Sequence, residues 1–101
     1  NMIKHLVFWK LKDRPHGLSK EECIHVIQTR MHALRGQIPG LLAIEVGADV
    51  SCNANSSDLA LYSEFENAQA LAVYQAHPLH QAIVPYVAEA ATERRVVDYE
   101  A

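Results

Sequence analysis

Tyr74, His77 and His80 lie close together in the stretch LAVYQAHPLH, on either side of Pro78. An imidazole with an ordinary pKa of about 6.5 gains and loses protons near neutrality, and a phenol can donate to an oxygen that is becoming negative. A fourth such group, His5, stands in the opening run MIKHLVFWKLK. Brought together, His5 and His80 would serve as acid–base groups. Tyr74 would serve as the donor to a developing enolate. Val7, Trp9, Leu61, Leu71 and Ile83, with His77, would wall an apolar pocket for a small ligand. A structural alternative stands beside this. His5 would be hydrogen-bonded to a neighbour in its strand, Tyr74 would be core, and His77 and His80 would satisfy free backbone groups at the break. His77 and His80 are spaced to share one side of a turn, yet no third Cys or carboxylate ligand stands near them. The sequence therefore predicts neither a metal site nor a cofactor.

The elements that would position these groups follow from periodicity. Met2 to Lys12 reads as a strand with Ile3, His5, Val7, Trp9 and Leu11 on one face and Lys4, Leu6, Phe8 and Lys10 on the other. Pro15 and Gly17 mark a loop. Ser19 and Glu22 then form a capping box that starts a helix, whose apolar stripe is Cys23, Val26, Ile27, Met31 and Leu34. Its polar side carries His25, Gln28, Thr29 and His32, read as solvated. Gly36 and Pro39 stop it. Leu41 to Ala48 is a second strand, Asp49 to Ser57 a polar loop, and Asp58 to Phe65 a third strand. Asn67 caps a helix over Ala68 to Ala76, His77-Pro78 is a joint, and a further helix is kinked or broken at Pro85. Arg94 to Glu100 is the last strand.

Strand, helix, strand, strand, helix pair, strand is the ferredoxin-like βαββαβ order: an α+β fold with a four-stranded antiparallel sheet and its helices on one face. The other face is left bare. Leu6, Phe8, Leu42, Ile44 and Val46 make the first two strands apolar on both sides, which predicts a homodimer.

The 101 residues suffice for a single domain, read as 2–101, and half of them are hydrophobic, as in ordinary globular chains. A net charge of −3 without a run of Lys or Arg offers no footprint for nucleic acid or an anionic membrane. No apolar stretch approaches the about 20 residues that span a bilayer, and no secretion signal opens the chain, so a cytoplasmic location is expected. Cys23 and Cys52 read as free thiols.

Taken together, MIKHLVFWKLK, the Ile38-Pro39-Gly40 turn, SDLALYSEF, LAVYQAHPLH and the closing VVDYE resemble the stress-responsive dimeric α/β-barrel (Dabb) family over nearly the whole length. The resemblance implies a ferredoxin-like protomer whose sheet packs on that of a second copy. Plant polyketide cyclases of that family are similar in a first-strand histidine and in a Tyr and His at the helix junction. These match His5, Tyr74 and His80, and the His-Pro step matches His77-Pro78. Leu59 stands where those cyclases carry a further histidine. Two functions remain open on the sequence: a small-molecule enzyme of lyase or cyclase type, and a non-catalytic dimeric stress or scaffold protein.

Overall fold

Alternation in the first strand decides how the sheet is laid down. In the computed structural model, which describes all 101 residues, β1 (Ile3–Leu11) buries Ile3, His5, Val7, Trp9 and Leu11 and leaves the residues between them half-exposed. After a single 3-10 turn at Pro15–Gly17 come α1 (Lys20–His32), β2 (Leu41–Ala48), β3 (Leu59–Phe65), α2 (Ala68–Ala76), α3 (Pro78–Gln81), α4 (Val84–Ala90) and β4 (Ala91–Glu100). The sheet is antiparallel throughout, in the order β2-β3-β1-β4, and the helices cover one face of it. This is the ferredoxin-like fold.

Ser19 starts α1 as its sequence requires. The hydroxyl accepts from the Glu22 N–H at 3.1 Å, while the Glu22 carboxylate accepts from the Ser19 N–H at 2.9 Å. The buried stripe of α1 is Cys23, Ile24, Ile27 and Met31, continued by Leu34 beyond its end. Ile24 takes the place expected for Val26, which is half-buried. Val26 lies one residue, about 100° of rotation, from Ile27 on the side away from Ile24, and so falls at the margin of the stripe. His32 is not a solvated side chain either. Its Nε2 accepts the Val46 N–H at 3.0 Å, Gln28 donates to the Val46 carbonyl at 3.1 Å, and Arg35 donates to the Ile44 carbonyl at 3.0 Å. Because β2 is an edge strand, these backbone groups lack a neighbouring strand, and α1 and the turn that follows it supply their partners.

Other boundaries differ from the sequence reading by small amounts. The third strand begins at Leu59, one residue later than read, although Asp58 still donates its N–H to the Trp9 carbonyl at 2.8 Å and its carboxylate accepts the Leu11 N–H at 2.7 Å. Ile83 and Ala82 form the break in the second helix, and Pro85 sits in the first turn of the new segment, where its missing N–H is tolerated. The last strand starts at Ala91 rather than Arg94, since β4 pairs along β1 from Leu11↔Ala91 to Ile3↔Glu100 and that pairing outweighs the weak strand preference of Ala91, Thr92 and Glu93.

The open face of the sheet carries Leu6, Phe8, Ala60 and Tyr62, half-buried, beside exposed Val97 and Tyr99. Register places Leu6 between Tyr62 and Val97. β2 adds little to this patch. Ile44 and Val46 are both buried on the helix side, which leaves Ala43, Glu45 and Gly47 on the open side, and Leu42 is 51% exposed at a register shift between Leu41 and Ala43. The expectation that the second strand is apolar on both faces is therefore corrected. No helix is long and apolar enough to cross a membrane.

Candidate functional site

Tyr74 is the centre of the site because of where α2 begins. The Asn67 side chain accepts the Ala70 N–H at 2.8 Å, and from that start Ala70, Leu71 and Tyr74 turn toward the sheet on one helical stripe. Tyr74 is fully buried. Its ring centroid lies 4.9 Å from Phe65, 6.3 Å from His5 and 4.2 Å from His80. Thus His5, from the strand, and His80, from beyond the helix break, meet on the same phenol.

His77 makes that break. Its backbone is extended (ψ 135°), and its Nδ1 accepts the Leu79 N–H at 3.1 Å, so it ends α2 and caps α3 with one side chain. Pro78 follows in the first turn. His80 is then carried back over Tyr74, and its Nδ1 donates to the Gln75 carbonyl at 3.3 Å. The expected pocket walls Val7, Trp9, Leu61, Leu71 and Ile83 are all buried in the core.

Two charged residues that sequence reasoning passed over belong to the cluster. Register pairs His5 with Asp98 and Trp9 with Arg94, so Arg94, Val96 and Asp98 lie on the helix-facing side of β4. The Asp98 carboxylate contacts His5 Nδ1. A carboxylate only accepts, so Nδ1 carries the proton, and in the neutral ring the lone pair is on Nε2. Strict alternation from Asp98 through Val96 to Arg94 was available in the sequence. Its pairing with His5 depends on strand register.

The electrostatics follow from burial. His5 is 3% exposed, whereas the Asp98 side chain is 39% exposed, so the pair connects the core to solvent. Burial pushes the Tyr74 phenol up to about 12, with the Arg94 charge opposing the rise, so the hydroxyl stays protonated and is a donor. Burial also holds His80 below its ordinary value. Its hydrogen bond to Gln75 opposes that fall, and the His5 and Arg94 charges add to it. The Tyr74 hydroxyl has no hydrogen-bond partner, although it is buried. Such a group costs about 1–3 kcal/mol when left unsatisfied.

The wide concavities of the chain are elsewhere. An open groove of about 1140 Å³ runs between α1 and the loop before β3, lined by Glu22, Gln28, Asp49, Cys52 and Asp58 among others, and includes none of His5, Tyr74 or His80. A long cleft between sheet and helices, as a large ligand would need, is absent from the principal concavities.

Comparison with known proteins agrees with the fold. The chain is 37% identical over 100 residues to an uncharacterised protein of Streptomyces coelicolor, covering 98% of this chain and 99% of that one. A dimeric ferredoxin-like protein of unknown function from Bacteroides fragilis superposes with a TM-score of 0.85 at 33% identity, over 99% of this chain and 96% of that one. A Dabb-family protein of Mesorhizobium loti does so with a TM-score of 0.75 at 26% identity, over 99% and 96%. The model of the stress responsive A/B barrel domain matches residues 3–101, and the chain belongs to that family.

Proposed function

We propose that the protein is a homodimer that binds a small ketide-like or aromatic ligand at Tyr74 and performs acid–base chemistry on it. The observation that carries this reading is the buried Tyr74 hydroxyl without a partner, beside a histidine held by a carboxylate. The structural alternative rests on every polar group being satisfied, and it does account for His77 and for the Nδ1 atoms of His5 and His80. It does not account for Tyr74. A ligand carbonyl accepting from that hydroxyl would satisfy it.

The chemistry is proton removal next to a carbonyl. Asp98 fixes the ring of His5 and favours the tautomer with a free Nε2, so Nε2 takes the proton while the Tyr74 O–H stabilises the oxygen of the enolate. His80, kept neutral by burial, adds a second imidazole against the phenol. Dimerisation is supported by the apolar patch of Leu6, Phe8, Tyr62, Val97 and Tyr99 and by relatives described as dimeric.

Deuterium exchange into the central carbon of acetylacetone, followed by NMR, tests the reaction. Wild-type protein is expected to speed exchange, and His5→Gln to lose about 10²-fold or more of that acceleration. Equal exchange by both proteins would leave the dimeric scaffold as the function. That second reading has one observation in its favour, the placement of the principal concavities away from Tyr74.

A further inference from the structure

We infer that Arg94 anchors a carboxylate on the ligand, so that the site takes small keto or aromatic acids rather than their neutral counterparts. The inference rests on the reading of Tyr74 as a ligand contact. Arg94 is exposed on the helix-facing side of β4 and makes no ion pair and no side-chain hydrogen bond within the chain. Asp98, the other charge nearest the site on that side of the strand, is already engaged by His5. Glu93, its acidic neighbour in sequence, pairs in register with Lys10 and points to the opposite face.

Between Arg94 and Asp98 stands Val96, opposite Val7 and 40% exposed. That row therefore offers a cation, an apolar step and a carboxylate-held histidine in sequence, on the side of the sheet that Tyr74 faces. A molecule with a carboxylate at one end, a ring-sized or short aliphatic body and a carbonyl at the other end would match it. The positive charge of Arg94 already acts on both rings of the site, lowering the pKa of His80 and opposing the rise at Tyr74. A planar guanidinium is suited to this task because it meets a carboxylate with two parallel N–H donors.

Two matched pairs of probes test the inference: acetoacetate against acetylacetone, and 2,4-dihydroxybenzoate against resorcinol. Binding is read from the shifts of the His5 and His80 ring protons. Wild-type protein should bind each acid about tenfold more tightly than its neutral partner, the scale of a charge-assisted contact at a partly exposed site. Arg94→Gln should abolish that preference while leaving the thermal midpoint and the oligomeric state unchanged. High salt should shrink the wild-type preference, because an accessible ion pair is screened over about 8 Å at physiological ionic strength and less in stronger salt. Tyr74→Phe should weaken acids and neutral probes alike. Equal affinity of wild-type protein for both members of each pair overturns the role of Arg94 and leaves the Tyr74 site intact. Loss of the dimer in Arg94→Gln also overturns it, by making the guanidinium an interface group. No shift with any of the four probes overturns the Tyr74 site itself, and the role of Arg94 with it.

Discussion

Removing a hydroxyl from the middle of a core usually costs stability, but at Tyr74 the opposite is expected. The oxygen is buried without a partner, so Tyr74→Phe deletes a desolvated dipole and leaves the ring against Phe65, His5 and His80. The penalty relieved is about 1–3 kcal/mol. Taking the lower end, and a shift of about 4–8 °C per kcal/mol for a domain near this size, the midpoint should rise by about 4 °C or more. Calorimetry at one fixed protein concentration is the assay, since a dimer's midpoint moves with concentration. The same variant should lose binding of acetylacetone, so stability and recognition would move in opposite directions. A midpoint lowered by several degrees would refute the reasoning. It would mean that the hydroxyl is satisfied in solution, by water or by a second copy.

Phe8→Asp replaces a large apolar group of the open sheet face by a charge that only Arg95, opposite it in register, can partly offset, and should give a dissociated or insoluble chain by light scattering; a normal dimer would remove that face from the interface. Acid should weaken the fold. His32 and His80 are held below the ordinary imidazole value by burial, so below pH about 6.5 the unfolded chain takes up protons that the folded chain resists, and stability falls until the lower folded values are passed. Denaturant melts at pH 7.5 and 5 should show this, with His32→Gln reducing the difference. Gly40→Ala should cost more than about 1 kcal/mol, because a Cβ there would lie 2.6 Å from Ala70 Cβ on a backbone with φ +81°; an unchanged urea midpoint would show that α2 can move away.

The parts of the molecule that were legible in the sequence are those fixed by local pattern. Alternation in β1 showed that His5 faces the helices, the Ser19–Glu22 box showed where α1 starts, and His77-Pro78 showed the joint. What was not legible depends on partners distant in the chain. Asp98 and Arg94 join the site only because β4 runs antiparallel to β1 in one particular register. His32 reads as a surface residue until β2 is known to be an edge. Likewise, Val7, Trp9, Leu61, Leu71 and Ile83, expected to line a pocket, are buried in the core, since sequence spacing predicts which face a side chain takes and not how closely its neighbours fill the space.

The side chains that α1 and the turn after it lay along β2 have a consequence for how many chains can join. An antiparallel sheet with two free margins can be extended at both, and repeated extension gives a fibre. Here one margin is stopped: the Ile44 carbonyl and both backbone groups of Val46 are occupied from within the chain. Strand-to-strand growth is left with β4 alone, and a building block with a single sticky side can form pairs but not rows. Protonating His32 would release the Val46 N–H alone, while Gln28 and Arg35 would still hold the Val46 and Ile44 carbonyls, so that margin stays closed even when one of its three stoppers is withdrawn.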